Sequence, residues 1–356
     1  LAEGAAVMRE GEARSDRAGL TYPFEALPKP GDAIVVADGV LWLRFPLPMA
    51  LDHINLWALR DGEGWAIVDT GLDFPASREA WEVALAGPLE GRPITQVICT
   101  HMHPDHVGLA GWLCARFDVP LKMSRLEYVT LRMLMADTGP APESGAQFYR
   151  ACGWSGDQVE DWRGRFGQFA KAVSEPPAAY HRLTAGETLL IDGRAWKLVG
   201  GDGHSPEHIC LLREDDDVFI AGDQVLPRIS SNVSVWPTEP EADPLADWLT
   251  SLDRLEREVP DRVLVLPSHG EPFRGLHARL QALRRGHETA LTRLVRRLRE
   301  PRRAVDVFGT LFARPISAGL LSMATGESVA HLTCLVRQGR AIRETDAEGV
   351  WRWRAV

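Results

Sequence analysis

The sequence predicts an α/β fold, and three observations carry this prediction. Short apolar runs recur along the chain between polar and turn residues, as is typical of strands buried in a sheet. Several of these runs end directly in histidine or aspartate, and segments with helical spacing separate them. The composition is that of an ordinary globular protein, with 45% hydrophobic and 25% charged residues among 356. That length is sufficient for one large domain and a small second one.

The first elements of the predicted sheet lie near the N-terminus. Residues 33–36 and 40–45 have the composition of strands, and residues 55–59 and 65–68 predict a hairpin joined across Asp61-Gly62-Glu63-Gly64. We place the large domain at residues 31–273, after an N-terminal extension over 1–30 and before a C-terminal domain over 274–356.

The segment from Thr100 to His106 contains four side chains that commonly bind metals. They are His101, His103, Asp105 and His106. The segment follows a predicted strand over 94–99 and precedes a predicted helix over 107–113, a position where side chains converge. A single histidine is more often structural, but three histidines and an aspartate at this spacing rarely are. Because neutral imidazoles and a carboxylate suit Zn²⁺ and similar ions, the segment predicts a metal site.

Further polar residues stand at or near the ends of later apolar runs. His204 and His208 follow the run 196–199, Asp223 follows 218–222, and His269 ends the run that begins at Val263. Taken singly, each of these residues is only weak evidence for a metal site, since an aspartate after glycine is usually a turn residue. Their common placement predicts that they meet at one edge of the sheet system.

The order of these residues resembles the metallo-β-lactamase-fold hydrolase superfamily. The segment Val68-Asp69-Thr70-Gly71 matches the first motif of that superfamily, and the resemblance runs from about Val40 to Pro272. It implies a four-layer αββα sandwich with a dinuclear metal centre at one edge. The same resemblance assigns ligands to two metals, bridged by Asp223, and places Asp69 behind them as a support. The first metal takes His101, His103 and His204, and the second takes Asp105, His106 and His269.

The expected cofactors are two divalent metal ions, with Zn as the first choice and Fe or Mn as alternatives. Such a pair activates a water and polarises the bond to be cleaved, so that no serine or cysteine nucleophile is needed. Asp105 is a candidate catalytic residue because it could orient the attacking hydroxide as well as bind metal. His208 is a second candidate, either in contact with substrate or as a support for His204.

Substrate contacts are predicted in two places. Residues 124–181 have helical spacing and many aromatic residues, and the resemblance places them over the site as a lid. Tyr128 and Tyr149 are candidates to line an apolar pocket there, although most of these aromatics would pack the insert onto the body. After Asp223, Arg228 and Asn232 could bind a carboxylate or an oxyanion, or could simply hold a loop. His53 and Asn55 are further candidates to reach the cleft.

The C-terminal domain is predicted from pattern. A long helix is expected over 274–299, followed by helices over 316–325 and 328–338 and a terminal hairpin. This order resembles the winged-helix module of one subgroup of the superfamily, which includes endoribonucleases and thioesterase-like hydrolases. Residues 274–356 contain sixteen Arg and seven Asp or Glu, a net charge of +9, whereas the whole chain carries −9. Arginines could contact nucleic-acid phosphates, but we favour docking on the acidic body or dimerisation.

Composition gives the expected location. No apolar run approaches the roughly 18–20 residues of a membrane span, so we expect no membrane association. Residues 1–26 contain no apolar core like that of a secretory signal. The five cysteines are scattered without a metal or redox spacing, which indicates buried residues in a reducing compartment. We therefore expect a cytoplasmic protein.

Two functions from different classes remain. The first is hydrolysis of a small-molecule ester, thioester or lactone, similar to that of glyoxalase-II-type enzymes. It is supported by the complete metal motif, the acidic body and the aromatic insert. The alternative is a metal-dependent endoribonuclease that binds RNA through the arginine-rich tail. The acidic charge around the metals disfavours an RNA groove there.

Overall fold

The computed structural model describes residues 14–16 and 19–356. The strands, in chain order, are β1 Arg14–Ser15, β2 Thr21–Tyr22, β3 Ala33–Ala37, β4 Val40–Pro46, β5 His53–Asp61, β6 Gly64–Val68, β7 Ile94–Ile98, β8 Leu121–Met123, β9 His181–Arg182, β10 Thr188–Ile191, β11 Arg194–Gly201, β12 His208–Arg213, β13 Val218–Gly222, β14 Leu264–Pro267, β15 Ala341–Thr345 and β16 Trp351–Ala355. The helices are α1 Pro75–Ala86, α2 Pro104–Val107, α3 Ala110–Phe117, α4 Arg125–Ala136, α5 Glu143–Ala151, α6 Gly156–Arg165, α7 Pro244–Glu258, α8 Leu276–Arg297, α9 Phe308–Leu311 and α10 Leu321–Arg337.

Two sheets form the body of the described chain. One has seven strands in the order β3 to β9, antiparallel up to β6 and parallel from there to β9. The other has five strands in the order β10 to β14, with a parallel β13–β14 pair at one edge. The predicted opening strands and hairpin are confirmed, with Asp61 paired to Gly64 at the turn.

The two sheets pack face to face and each is covered by helices on its outer side. Trp42 and Trp57 stack between the sheets with ring centroids 6.3 Å apart, and they share a core with Leu211 of the second sheet. On the outer side of the first sheet the core includes Trp81 of α1, and on that of the second it includes Trp248 of α7. Successive side chains of a strand point to opposite faces of its sheet. Each sheet therefore contributes side chains both to the core between the sheets and to the core under its own helices. The predicted αββα layer order is confirmed.

The segment over 124–181 is helical, as predicted, and contains α4, α5 and α6. Its aromatic residues are mostly turned inward: Tyr128, Phe148, Tyr149 and Trp154 are each less than 9% exposed. The outward apolar residues are instead aliphatic, since Leu126, Val129 and Met133 on α4 are 40–55% exposed. They recur at positions i, i+3 and i+7 and therefore lie on one face of the helix.

The C-terminal part differs from the prediction at one point. The long helix is confirmed as α8, and the terminal hairpin as β15 and β16. Two further helices were expected, over 316–325 and 328–338, but a single helix, α10, covers the second half of the first range and nearly all of the second. The second of these helices was expected to begin at Ser328 because serine is a common N-cap, yet Ser328 is buried in the interior of α10. Burial of this face against the rest of the chain outweighs the local capping preference of serine.

The predicted N-terminal extension over 1–30 lies partly outside the described residues, as does the segment considered for a secretory signal. Within its described part, Leu20 and Tyr22 are buried in the core that contains α7 and α8. All five cysteines are buried and unpaired, as expected of small apolar side chains. Among the described helices, none combines the length and apolar character that crossing a bilayer requires.

One hydrophobic core continues from the outer face of the second sheet into the C-terminal part. Trp353 of β16 belongs to this core together with Trp248 of α7 and is fully buried. We therefore predict that Trp353→Ala lowers the free energy of unfolding of the whole chain by about 3–5 kcal/mol, measured by urea denaturation followed by circular dichroism.

The matched control is Arg354→Ala, because Arg354 is exposed on the same strand. This control should leave the transition near that of the wild type. Two separate transitions, with only the one from the C-terminal part shifted by Trp353→Ala, would contradict a shared core.

Candidate metal centre

The first histidine cluster lies in the turn after β7 and in the short helix α2 that follows, which contains Asp105 and His106. His101 and His106 are fully buried, whereas His103 and Asp105 are partly exposed. Pro104 begins α2, where its fixed φ and missing N–H are compatible with a helix start. The turn directs all four polar side chains of the motif to the edge of the sandwich.

The remaining members reach the same edge from the second sheet. Asp223 directly follows β13, and His269 lies two residues after β14. These two strands are parallel neighbours, so their carboxyl ends meet at one edge. His204 lies in the loop between β11 and β12, and His208 begins β12.

The structure brings the seven predicted ligands into two adjacent groups. One group is His101, His103, His204 and Asp223, and the other is Asp105, His106 and His269, with donor atoms within 4.8 Å of one another in each. Asp223 faces both groups. Its Oδ2 lies 3.4 Å from Nε2 of His204, and its Oδ1 lies 3.5 Å from Nε2 of His106 and 3.4 Å from Nε2 of His269.

The hydrogen bonds behind the rings determine which nitrogen faces the centre. Nδ1 of His106 lies 2.7 Å from Oδ2 of Asp69, Nδ1 of His204 lies 2.7 Å from O of Asn232, and Nδ1 of His269 lies 2.8 Å from O of His53. Carboxylates and carbonyls can only accept, so each Nδ1 carries the proton and donates it. Each Nε2 then has its lone pair directed at the centre, as metal binding requires.

These atoms have the properties expected of a cation site. Within the described chain, Nε2 of His106, Nε2 of His204 and Oδ1 of Asp223 are buried without a hydrogen-bond partner. Leaving three buried polar atoms unpaired at one point is costly. Two further ring nitrogens of the first group also lie close together, since Nε2 of His101 is 2.8 Å from Nδ1 of His103. Imidazole and carboxylate donors grouped in this way fit divalent Zn, Fe or Mn.

The electrostatic balance of the site also favours a cation. Burial and the neighbouring imidazoles hold the pKa of His101 well below its usual value, and burial lowers the pKa of His103 to about 3, so these rings are neutral. Burial opposes charge at Asp105 as well, but His106 and His269 outweigh it and bring the pKa of Asp105 to about 2. Burial opposes charge at His106 and His269 too, but the surrounding aspartates outweigh it and raise the pKa values of both rings. A cation would replace the protons on these two rings, because only a neutral imidazole binds a metal.

Asp69 supports the centre from behind. It is buried, with φ of 61°, a left-handed conformation that aspartate tolerates better than most residues. Its Oδ1 accepts from the backbone N–H of Thr100 at 2.8 Å, while its Oδ2 accepts from His106. The one carboxylate therefore fixes both the histidine turn and the ring of His106.

His208 lies behind the centre as well. It is fully buried, and its Nε2 accepts from the backbone N–H of Asp223 at 3.3 Å. A ring with its acceptor occupied in this way is not available to substrate. Of the two roles considered for His208, catalytic contact and support, the geometry favours support, although the residue supported is Asp223 rather than His204.

Sequence reasoning missed Glu127 on α4. This buried carboxylate accepts from the backbone N–H of Met102 at 2.9 Å and from that of Glu207 at 2.7 Å, so it joins the first histidine turn to the His204 loop. Burial raises its pKa. The spacing Ser124-x-x-Glu127 is that of a capping box, yet Ser124 donates to O of Glu207 rather than capping α4. A capping signal at the start of the insert was thus the available clue.

Tyr128 and Tyr149, the candidates for lining a substrate pocket, make contacts within the protein. Tyr128 donates to O of Pro177 at 2.7 Å and stacks on Tyr180. Tyr149 stacks on Trp154 in the core shared with the C-terminal part, and its ring contacts within the described chain are all in that core. The two tyrosines therefore pack the insert.

Arg228 and Asn232 both make contacts that hold the loop after Asp223. Arg228 lies over the ring of Tyr22 and pairs with Glu271. Asn232 holds His204 through its carbonyl. Of the two roles considered for these residues, the contacts favour holding a loop.

His53 and Asn55 hold the His269 loop. Nε2 of His53 accepts from the backbone N–H of Gly270 at 2.8 Å, and O of His53 accepts from His269. The amide of Asn55 donates to O of Pro267 and of Gly270, each at 2.8 Å. These two residues at the start of β5 therefore position His269.

Comparison with known proteins agrees with this architecture. The family model for the Metallo-beta-lactamase superfamily matches residues 50–269, and that for the Metallo-beta-lactamase-like, C-terminal domain matches residues 291–356. The crystal structure of a beta-lactamase domain protein from Burkholderia ambifaria is similar with a TM-score of 0.87 and 41% identity, covering 95% of this chain and 98% of that one. A probable metallo-hydrolase of Bacillus subtilis is 25% identical over 85% of this chain and 93% of its own length. An acyl-coenzyme A thioesterase of Homo sapiens is 24% identical over 67% and 80%, respectively.

The support from Asp69 is open to a conservative test. Asp69→Asn retains a residue that tolerates positive φ, but an amide N–H₂ facing His106 would donate to Nδ1 and move the ring proton to Nε2. That nitrogen could then no longer bind metal. We predict that zinc affinity falls about 10–100-fold, measured by competition with a chromophoric chelator.

The control is Asp73→Asn, because Asp73 pairs with Arg78 on the outer surface of the same region. Its zinc affinity should match that of the wild type. Equal affinities for the Asp69 variant and the wild type would show that Asp69 does not set the ring orientation.

Proposed function

The chain belongs to the metallo-beta-lactamase superfamily, and we propose that it is a dinuclear metal-dependent hydrolase of small-molecule esters, thioesters or lactones, with acyl thioesters as the first choice. The observation that carries this proposal is the position of Asp223 between two groups of donor atoms. A carboxylate with one oxygen toward each group is suited to bridging two cations.

The residues present define what each part of the site would do. One metal would be held by His101, His103 and His204, the other by Asp105, His106 and His269, with Asp223 between them. When bound, two such ions supply an acidified water and a polarised carbonyl. Zn is the first choice, with Fe and Mn as alternatives.

Asp105 is the candidate for orienting the attacking water. Its Oδ2 lies 3.3 Å from Nε2 of His269 and 3.7 Å from Nε2 of His106, and its side chain is 19% exposed. It is therefore both part of the second group and open to solvent. A carboxylate in that position can accept a hydrogen bond from a water and direct the water's lone pair at a carbonyl carbon.

The preference for a thioester rests on two supports. One relative is named as an acyl-coenzyme A thioesterase. The exposed face of α4 is apolar at Leu126, Val129 and Met133. This face begins beside the loop that contains His204, because the N–H of Leu126 donates to the carboxylate of Glu207 in that loop at 2.7 Å. An apolar stripe that starts at the rim of the centre suits the acyl or alkyl part of a substrate.

The arginine-rich tail supports the small-molecule proposal more than the RNA alternative. Arg284 pairs with Asp253, and Arg343 pairs with Glu241 at 2.7 Å. Arg279 donates to the backbone carbonyls of Leu226 and Ile229 just after Asp223. These guanidinium groups are engaged with the large domain, which favours docking as their role.

Metal-quantified protein should hydrolyse members of an acyl-coenzyme A or lactone panel and leave labelled RNA intact. We predict that Asp223→Ala reduces kcat/KM by more than about a hundredfold, because loss of residues that merely support metal ligands already costs about 10–100-fold. Product release and bound metal are measured on the same samples.

The control is Asp215→Ala, an exposed aspartate in the turn before β13 that pairs with Arg194. This variant should retain wild-type turnover and metal content. Full hydrolytic activity in Asp223→Ala would contradict the dinuclear mechanism. Metal-dependent RNA cleavage by the wild type, lost when the exposed residues Arg293, Arg296 and Arg297 of α8 are replaced by alanine, would instead establish the endoribonuclease.

A further inference from the structure

We propose that Glu327, on α10 of the C-terminal part, is a positioning residue that holds the metal ligand His204 through Asn232. The inference rests on the proposed metal centre. It makes the C-terminal part a component of that centre, although each of the seven candidate ligands lies in the large domain.

A short chain of hydrogen bonds connects Glu327 to the centre. Nδ1 of His204 donates to the backbone carbonyl of Asn232 at 2.7 Å, and the side-chain amide of Asn232 donates to Oε2 of Glu327 at 2.7 Å. The hydroxyl of Ser234 donates to Oδ1 of Asn232 at 2.6 Å. Both ends of the Asn232 amide are thus occupied, and the residue is held in one orientation.

The loop that contains Asn232 depends on α10 for its conformation. Residues 230–236 belong to no helix or strand. The N–H of Val235 donates to O of Gly326 at 3.1 Å, and Oγ of Ser234 lies 3.2 Å from O of Met323. A Cβ at Gly326 would lie 2.8 Å from O of Val235. Only glycine at position 326 permits so close an approach, and α10 therefore packs directly against the loop behind His204.

The side chain of Glu327 is partly buried at this contact. Burial raises the pKa of Glu327 to about 7, and the hydrogen bond from Asn232 opposes that shift. A buried carboxyl group costs free energy unless its hydrogen bonds are satisfied.

The same loop reaches the bridging residue. The hydroxyl of Ser231 donates to the backbone carbonyl of Asp223. A displacement of the loop would therefore disturb His204 and Asp223 together, and both belong to the first donor group.

Three variants test the contact by exchanging its donor and acceptor. Asn232→Asp removes the amide donor that faces Glu327, and we expect it to weaken zinc binding about 10–100-fold, as is typical for loss of a ligand's supporting partner. Glu327→Gln keeps an oxygen that can accept from Asn232, and it should bind zinc almost as the wild type does. The double variant Asn232→Asp with Glu327→Gln restores a donor facing an acceptor, so it should recover most of the lost affinity.

The measurements are zinc stoichiometry and affinity by chelator competition, with thermal unfolding of the zinc-free protein alongside. Thr325→Val is the matched control, because it removes the hydrogen bond from Trp154 to the same helix and leaves Asn232 untouched. It should lower the unfolding temperature and leave zinc affinity unchanged.

Two outcomes would overturn the inference, and they are distinguishable. If Asn232→Asp binds zinc as the wild type does, or if the double variant recovers nothing, Glu327 does not position His204. If the wild type itself binds no zinc, the metal centre proposed above fails and this inference fails with it.

Discussion

The structure around the site depends on one constraint: a buried carboxylate, Asp223, has to lie between two groups of imidazoles. Its two oxygens face His204 on one side and His106 and His269 on the other. For a cation to bind between these groups, His106, His204 and His269 must each present a lone pair of Nε2 to the centre. The acceptors behind the rings, which are a carboxylate and backbone carbonyls, meet that requirement because they can only accept. The site therefore requires hydrogen-bond acceptors behind the rings as well as the candidate ligands themselves.

This constraint explains which parts could be predicted from the sequence. The ligands were identifiable because each stands where a buried strand or its following turn ends, and strand burial is visible as an apolar run. Asp69 was identifiable from the Val-Asp-Thr-Gly motif. These are local signals, in which the residue and the pattern that reveals it are close neighbours in the sequence. The αββα layer order came from the resemblance to the superfamily, because the alternation of strands and helices by itself indicated only an α/β fold.

The supporting contacts could not be predicted because they join residues far apart in the chain. Glu127 contacts the backbone of Met102 and Glu207, and Glu327 contacts Asn232, 95 residues before it. Their local patterns indicate ordinary helix positions, a capping box in one case and an interior position in the other. Only the packing of α4 and α10 against the site converts them into supports. The single α10 helix was missed for a related reason, since its burial outweighs the capping signal at Ser328.

The C-terminal part therefore has two relations to the large domain. Its arginines contact carboxylates and carbonyls on the surface of that domain, and these exposed pairs contribute little individually to the free energy of folding. Its apolar face, by contrast, shares a continuous core with α7 and the second sheet. Packing in that core fixes the position of α10 relative to the large domain. With α10 in that position, the carboxylate of Glu327 reaches the amide of Asn232. All seven candidate ligands lie in the large domain, and we propose that the position of one of them, His204, depends on a helix that follows the metal-binding motifs in the sequence.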